Sequence, residues 1–358
     1  MPSIKKVAEV AGVSVGTVSH VITGSVPVSE TLRNKVQAAI RQLNYHPNHV
    51  ARSLKTSKTR TLGIIVPDMT IPFFPQVIRG AEEAAQKSDY SLIAVNSDDD
   101  GERQKNLLSL LRSQCVEGIL LVVAAAPTPL NQISLIIDAG IPVVCLDRIP
   151  DRVPVDCVSI EDLGAAENGV SHLLEMGHRR IAIVTGPLTL KNERRRVQGY
   201  RQALEKKGIR VDEKLIWTGN LRAPEVASMC RERLADPRRP DALFCTNGPT
   251  ALGVLRAFRD CGLRTPEDIA FATFDELTVA DLFTPSITTV VQPAYDIGFH
   301  AAEILLDRIN GTAEADTITL RLPAHLEVRA SSGRPTRETL PEALSGTYAR
   351  VPVVSSAS

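Results

Sequence analysis

Nine apolar, β-branched runs recur through residues 62–275, and each is followed by a turn and a segment that suits an amphipathic helix. They are LGIIVPD (62–68), SLIAVNS (91–97), GILLVV (118–123), PVVCLD (142–147), DCVSI (156–160), RIAIVTG (180–186), LIWTGN (215–220), ALFCTN (242–247) and IAFATFD (269–275). Helices fit between them, as at Phe74–Lys87 and Asn192–Lys206. Continuous apolar strands alternating with helices demand parallel sheets covered on both faces. Nine such strands are too many for one small sheet. The pattern predicts an α/β body over residues 61–331, built as two doubly wound lobes with a cleft between them.

The chain start reads differently. Residues 7–22, VAEVAGVSVGTVSHVI, place Val and Ala at helical spacing but break at Gly12, with Ser14 close behind. Gly12 can end a helix in the left-handed conformation, Val13 can plug the turn, and Ser14 can cap the next helix. Ala8 suits a close helix contact, and Val7, Val18 and Val21 can lock the pair. Three helices are expected over residues 1–46: one from Ile4 to Ala11 capped by Ser3, one after Ser14, and one after Ser29 that stops near Asn44. Such a corner is a helix-turn-helix, whose second helix suits the major groove of DNA.

Charge supports this. The chain is neutral overall, with 41 basic and 41 acidic residues, yet residues 1–60 carry nine Lys/Arg against two Glu, a balance of +7. The remainder holds thirty-two against thirty-nine, a balance of −7. A basic head on an acidic body points to a polyanion partner for the head alone. Residues 47–60, beginning PNHVARSLKT, form a short basic linker too short for a stable helix alone. Residues 332–358, rich in Ser, Pro and Thr, read as a disordered tail.

SIKKVAEVAGVSVGTVSHVI resembles the N-terminal head of the lac repressor/gal repressor family of bacterial transcription regulators, and NYHPNHVARSLKT resembles that family's hinge. Lys6 replaces the family's usual acidic residue. The resemblance runs to about Arg329 and implies a body similar to ribose-type periplasmic sugar-binding proteins (periplasmic-binding-protein-like type I). It implies that Val15, Gly16 and His20 face base edges, and that Thr17, Ser19 and Asn34 hold phosphates. It further implies that a helix over Asn48–Leu54 forms on the operator, with Leu54 wedged in the minor groove beside Arg52 and Lys55.

In the body, polar residues follow the strands: Asp68, Asp147, Arg148, Asn247, Asp275 and Gln292, with Arg196 at a helix start and Phe73 and Phe74 after Pro72. Carboxylates, amides and arginines around a flat aromatic wall suit a sugar. The resemblance matches Phe73, Phe74, Asp147, Arg148, Arg196, Asn247, Phe274, Asp275 and Gln292 to effector-binding positions. Ile71 stands where many pentose binders carry Asn, and Leu221 where many sugar-responsive relatives carry an aromatic. Arg194, Arg195 and Arg196 together would tolerate a carboxylate or phosphate. Leu190 lies where purine-binding relatives would need a polar base-reading group. Asp98, Asp99, Asp100 and Glu102 lack the spacing of a calcium loop and read as a solvated loop or helix N-terminus.

No apolar run reaches the ~18 residues of a membrane span, and no signal peptide is expected. The six cysteines form no Cys-x-x-Cys pair and read as free thiols in a reducing cytoplasm. An enzyme is disfavoured: no G-x-G-x-x-G follows the first strand, and no P-loop or paired nucleophile is visible. An exported sugar-binding protein would not need the basic head. The expectation is a cytoplasmic, non-enzymatic regulator, nucleoid-associated when bound, with no cofactor and no metal. It binds a near-palindromic operator in double-stranded DNA as a homodimer, most simply as a repressor. A monosaccharide or sugar acid in the cleft controls it, with a purine or sugar phosphate as the alternative effector. Only Leu340 and Leu344 are available for a C-terminal heptad, so a tetramer is not expected.

Overall fold

The structure is a computed structural model that describes every residue except 1, 24–25, 46–58, 126–130, 152, 278–281, 314 and 334–358. Asn48, Arg52, Leu54, Lys55, Leu340 and Leu344 fall outside the described residues. The chain divides into two compact units, residues 1–60 and 61–358.

The first unit carries α1 (Ile4–Ala11), α2 (Val15–Thr23) and α3 (Glu30–Gln42). Ser3 starts α1 by accepting from the Lys6 backbone N–H at 3.4 Å. Gly12 ends it at φ +66°, where a side chain would add strain of about 1 kcal/mol. The Val13 N–H then reaches back to the Ala8 carbonyl at 3.0 Å, closing the corner. Ser14 Oγ accepts from the Thr17 N–H at 3.0 Å and so begins α2. Val7, Val18 and Val36 are fully buried against Ala8, Ala11 and Ala39, with Val13 and Val21 at the edge of that core. Sequestering each of the three valines is worth about 1.5 kcal/mol.

The second unit holds two six-stranded sheets. In the first, β1 (Thr61–Val66), β2 (Ser91–Asn96), β3 (Gly118–Leu121), β4 (Val143–Leu146), β5 (Asp156–Ile160) and β11 (Thr319–Leu322) lie in the order β11-β5-β4-β3-β1-β2, all parallel. The second contains β6 (Ile181–Thr185), β7 (Ile216–Thr218), β8 (Ala242–Cys245), β9 (Ala270–Phe274), β10 (Thr288–Val291) and β12 (His325–Glu327). Its order is β12-β10-β9-β8-β6-β7, and only β12 runs antiparallel. The order reversal around β1 and β6 leaves a crevice at the strand C-termini of each lobe.

Helices α4 (Phe73–Lys87), α5 (Gly101–Ser113), α6 (Asn131–Asp138) and α11 (Ala294–Asn310) cover the first sheet. Helices α7 (Asp162–Glu175), α8 (Lys191–Lys206), α9 (Ala223–Leu234) and α10 (Gly248–Cys261) cover the second. The chain therefore crosses between lobes three times: from β5 to α7, from β10 to α11, and from β11 to β12. At the α4–α11 contact, a Cβ added to Gly80 would lie 2.0 Å from the Tyr295 carbonyl oxygen, so only glycine fits.

Two expectations are corrected. Strands β10, β11 and β12 were not among the nine runs, because TTVV, TLRL and HLE are short and carry polar residues at edge or near-edge positions. The tail does not begin at Ser332. Ser332 is buried, its Oγ 2.8 Å from His172 Nε2 and 2.7 Å from Thr288 Oγ1, while Ser331 Oγ donates to the Phe271 carbonyl at 2.7 Å. Serine reads as tail chemistry but here meets buried polar groups. Cys145, Cys157, Cys230 and Cys245 are buried free thiols, and Cys115 and Cys261 are exposed.

Candidate effector cavity and nucleic-acid face

On α2, positions 15, 16, 19 and 20 share one helical face. Val15, Gly16 and His20 are exposed there and Ser19 is half-buried. Thr17 lies aside from them, its hydroxyl 2.9 Å from Ser14 Oγ within the helix cap. Asn34 is exposed on α3.

In the second unit a cavity of about 520 Å³ opens where the strands of both sheets end. That volume lies within the range of about 300–1,000 Å³ typical of small-molecule sites. The first lobe contributes Phe73 and Phe74 from the start of α4, Asp98 and Asp99 after β2, and Asp147 and Arg148 after β4. The second contributes Glu193 and Arg196 from α8, Leu221 after β7, Asn247 after β8, Asp275 after β9 and Gln292 after β10. Asp68, Ile71, Asn192, Asn220 and Arg222 complete its polar and apolar rim. Five of the nine described non-glycine residues with positive φ line it: Asp98, Asp99, Asp147, Leu221 and Asp275. Aspartate tolerates that conformation, but leucine does so only under strain, and strain of this kind collects at functional sites.

Arg196 is the centre of the site. It is 1 % exposed and lies over the Phe274 ring at 4.2 Å. Its Nε donates to Asp162 Oδ1 at 2.8 Å, and its Nη1 to the Thr246 carbonyl at 2.6 Å. Nη2 is buried and makes no aligned hydrogen bond among the described residues; it lies 2.8 Å from Asp162 Oδ1 and 3.9 Å from Asp147 Oδ1 on the opposite lobe. Burial, the largest influence, works to discharge Arg196. Asp162, Glu193, Asp147 and Asp275 outweigh it and hold the guanidinium above even its ordinary range. Burial likewise raises the Asp162 and Asp275 carboxyls, and pushes Asp147 up to about 7 against the pull of Arg196 and Arg148.

The remaining groups are held as firmly. Arg148 Nη1 pairs with Asp99 and donates to the Val123 carbonyl at 3.2 Å. Gln292 Nε2 donates to Asp275 Oδ1, and the Gly248 N–H to Asp275 Oδ2 at 3.1 Å. Asp162 is the first residue of α7 and Gln292 precedes α11, so both lie on lobe crossings.

Phe73, Phe74, Asp147, Arg148, Arg196, Asn247, Asp275 and Gln292 thus come together as expected from the sequence. Phe274 does not line the cavity; β-strand alternation turns it away from Asp275 and buries it beneath Arg196. The two phenylalanines build no flat aromatic wall, since their rings meet edge to face at 77°. Nor do three arginines converge. Arg194 pairs with Asp151 and Arg195 with Glu161, and neither lines the cavity. Leu190 is buried where α8 begins and is not a wall residue. Asp98 is exposed and pairs with Arg103, and Asp100 caps α5 through the Arg103 N–H at 2.7 Å, the solvated loop and helix N-terminus expected; Asp98 and Asp99 also border the cavity. Glu193, Asn192 and Asp162 were missed. The stripe Val197, Tyr200, Leu204 on the buried face of α8, continued by one turn toward the N-terminus, would have reached Glu193 and Arg196.

Comparison with known proteins identifies the family of both units. Residues 3–48 match the model for bacterial regulatory proteins of the lacI family, and residues 170–332 that for a periplasmic binding protein-like domain. The chain is 35 % identical over 309 residues to the ribose operon repressor of Escherichia coli (strain K12), spanning 86 % of this chain and 93 % of that one. It is 37 % identical over 309 residues to the HTH-type transcriptional repressor PurR of Vibrio atlanticus (strain LGP32), spanning 86 % and 92 %. The crystal structure of the lac repressor dimer bound to operator and the anti-inducer ONPF superimposes with a TM-score of 0.80 at 26 % identity, covering 93 % of this chain and 99 % of that one.

Proposed function

The chain belongs to the lacI family of bacterial regulatory proteins, and from that premise we propose that a neutral sugar, with ribose the first candidate, is the effector that controls its grip on operator DNA. The protein is an effector-controlled, DNA-binding transcription repressor that acts by binding rather than turnover. Its partners are operator DNA and a sugar-like effector, and it works as a homodimer in the bacterial cytoplasm. The exposed face of α2 reads base edges through Val15 and His20, with Gly16 leaving room for a neighbour. Ser19, Thr17 and Asn34 steady the phosphates. The basic segment 47–60, with Asn48, Arg52, Leu54 and Lys55, adds the minor-groove contact.

One observation carries the choice of a neutral ligand. Six carboxylates line the cavity (Asp68, Asp98, Asp99, Asp147, Glu193, Asp275) against three arginines (Arg148, Arg196, Arg222). The two buried arginines are already matched, Arg148 by Asp99 and Arg196 by Asp162. Arg103 pairs with Asp98, and burial keeps part of Asp147 protonated. Asp68, Glu193 and Asp275 have no bonded cation among the described residues, so a sugar acid or phosphate would still meet surplus negative charge, whereas hydroxyls find acceptors. The E. coli relative's name supports ribose. Any such ligand shifts operator affinity only if it binds one lobe arrangement more tightly than the other. Contact with Arg196 and Asp275 would supply that difference, because their partners Asp162 and Gln292 lie on lobe crossings.

Calorimetry with ribose, ribose 5-phosphate and a purine base tests the reading, with a mobility-shift assay for the effect on operator affinity. Ribose should bind and the phosphate should not, and Arg196→Met should abolish ribose binding while operator affinity without sugar persists. Tight binding of the purine or the phosphate instead of ribose would overturn it.

A further inference from the structure

Glu193 is 2 % exposed and lines the cavity, yet among the described residues no arginine or lysine bonds to it. Neutral donors surround it instead. Oε2 accepts from Thr185 Oγ1 at 2.7 Å, from the Gly186 N–H at 3.0 Å and from Thr246 Oγ1. Oε1 accepts from Asn247 Nδ2 at 2.9 Å. Burying a carboxylate without a bonded cation is costly, and one that persists among aligned donors has a task beyond packing.

The task is visible in Asn247. Its Nδ2 donates to Glu193 Oε1 at 2.9 Å and lies 3.2 Å from Thr246 Oγ1 on the same side. Its Oδ1 accepts from the Thr250 N–H at 2.9 Å, capping α10, and retains a second lone pair. The amide nitrogen is thus held inside the protein by Glu193. A flipped amide would set Nδ2 against the Thr250 N–H, donor against donor. What Asn247 offers the cavity is therefore an acceptor. The nearby Gln292 follows the same logic: its Nε2 is turned to Asp275, and its buried Oε1 has no partner among the described residues.

We infer that Glu193 is a positioning residue that sets ligand class: it locks Asn247 with its oxygen available to the ligand, so the wall at Asn247 takes a hydroxyl or N–H donor and refuses an anionic oxygen at that point. This rests on the neutral-sugar reading and adds to it the group that enforces the polarity. Asn192 shows the opposite setting on the same helix. Its Oδ1 accepts from the Glu193 backbone N–H at 3.0 Å, which leaves its Nδ2 as a donor. The wall therefore presents a fixed donor and a fixed acceptor.

The test is a polarity swap. In Glu193→Gln, the new amide nitrogen meets Asn247 Nδ2, and Asn247 must turn. In Asn247→Asp, two carboxylate oxygens meet instead. In the double variant, the amide nitrogen introduced by Glu193→Gln donates to the carboxylate introduced by Asn247→Asp, while the outward oxygen and the cap of α10 are kept. Each single variant should bind ribose about tenfold or more weakly. Glu193→Gln, which removes a negative charge, should also discriminate less against ribose 5-phosphate, whereas Asn247→Asp, which adds one, should reject it at least as strongly as wild type. The double should recover most of the ribose affinity and the wild-type discrimination. Thermal melts without sugar should follow the same order, with both singles lowered and the double recovering more than half of the loss. Wild-type preference for ribose 5-phosphate would sink the neutral-sugar reading itself. If wild type binds ribose but Glu193→Gln keeps both affinity and discrimination, Glu193 does not position the wall. A double variant that melts no higher than the worse single would reject the Glu193–Asn247 coupling, whatever the ligand.

Discussion

Replacing Asp147 with asparagine should stabilise the protein at pH 8 and leave it nearly unchanged near pH 4. Asp147 follows β4 with a side chain 10 % exposed. Burial, the largest influence, raises its pKa from 3.8 to about 7; Arg196 and Arg148 oppose the rise, while Asp162 and Asp275 add to it. In the unfolded chain the same carboxyl titrates near 3.8. The folded state therefore keeps a proton that the unfolded state has lost, throughout the window from about pH 4 to pH 7. Stability from this site is complete below the unfolded pKa and is lost as pH climbs through the folded one. At about 1.4 kcal/mol per pH unit, the roughly three-unit gap amounts to about 4 kcal/mol. Asparagine fills the same space and cannot ionise. Asp162 and Asp275, also raised by burial, are present in both proteins, and losing the Asp147 charge relieves their repulsion, which acts in the same direction above pH 7. Urea melts at half-unit intervals should show the variant gaining about 2–4 kcal/mol on wild type between pH 5 and pH 8. Parallel stability curves would refute a raised Asp147. A variant less stable at pH 8 would show that attraction to Arg196 outweighs the cost of burying the charge.

Two glycines should respond differently to alanine. Gly12→Ala, at φ +66° with nothing within 4 Å of the new methyl, should cost the first unit about 1 kcal/mol of backbone strain. Gly80→Ala, whose Cβ would meet the Tyr295 oxygen at 2.0 Å, should cost the second about 3 kcal/mol or more, both read by thermal melts. His20→Ala should weaken operator binding by about 1–2 kcal/mol and relax preference at one base pair, leaving affinity for random duplex unchanged in a competition mobility-shift assay.

Local signals made some elements legible from the residues alone. Ser3 and Gly12 bracket α1 at its observed bounds, because capping and a left-handed stop need only neighbours along the chain. The buried parallel strands were legible because a strand covered on both faces must be apolar throughout. Edge strands β11 and β12 escaped, since one exposed side restores polar residues and erases the run. In the cavity, residues directly after strands were found because the doubly wound fold sends strand ends to the crevice. Glu193 was not found, since a glutamate within KNERRR reads as one more solvated charge. The one signal was the apolar stripe of Val197, Tyr200 and Leu204, which turns polar toward the start of α8 where Asn192 and Glu193 lie on the same buried face; the packing of α8 makes that plain.

That polar turn bears on how a small ligand could govern a separate DNA-binding unit. Arg196 cannot move without disturbing Asp162, and Asp275 cannot move without disturbing Gln292. Asp162 and Gln292 occupy two of the three passages between lobes, where small changes in backbone direction swing whole sheets. The 3.9 Å gap between Arg196 Nη2 and Asp147 Oδ1 is too long for a hydrogen bond and spans the cleft itself. A hydroxyl placed there would accept from one lobe and donate to the other, an exchange available only when the lobes stand at one separation. On the proposed reading, the differential affinity that allostery requires would come from these few buried polar groups, since they are the ones that reach across the cleft and onto the lobe crossings.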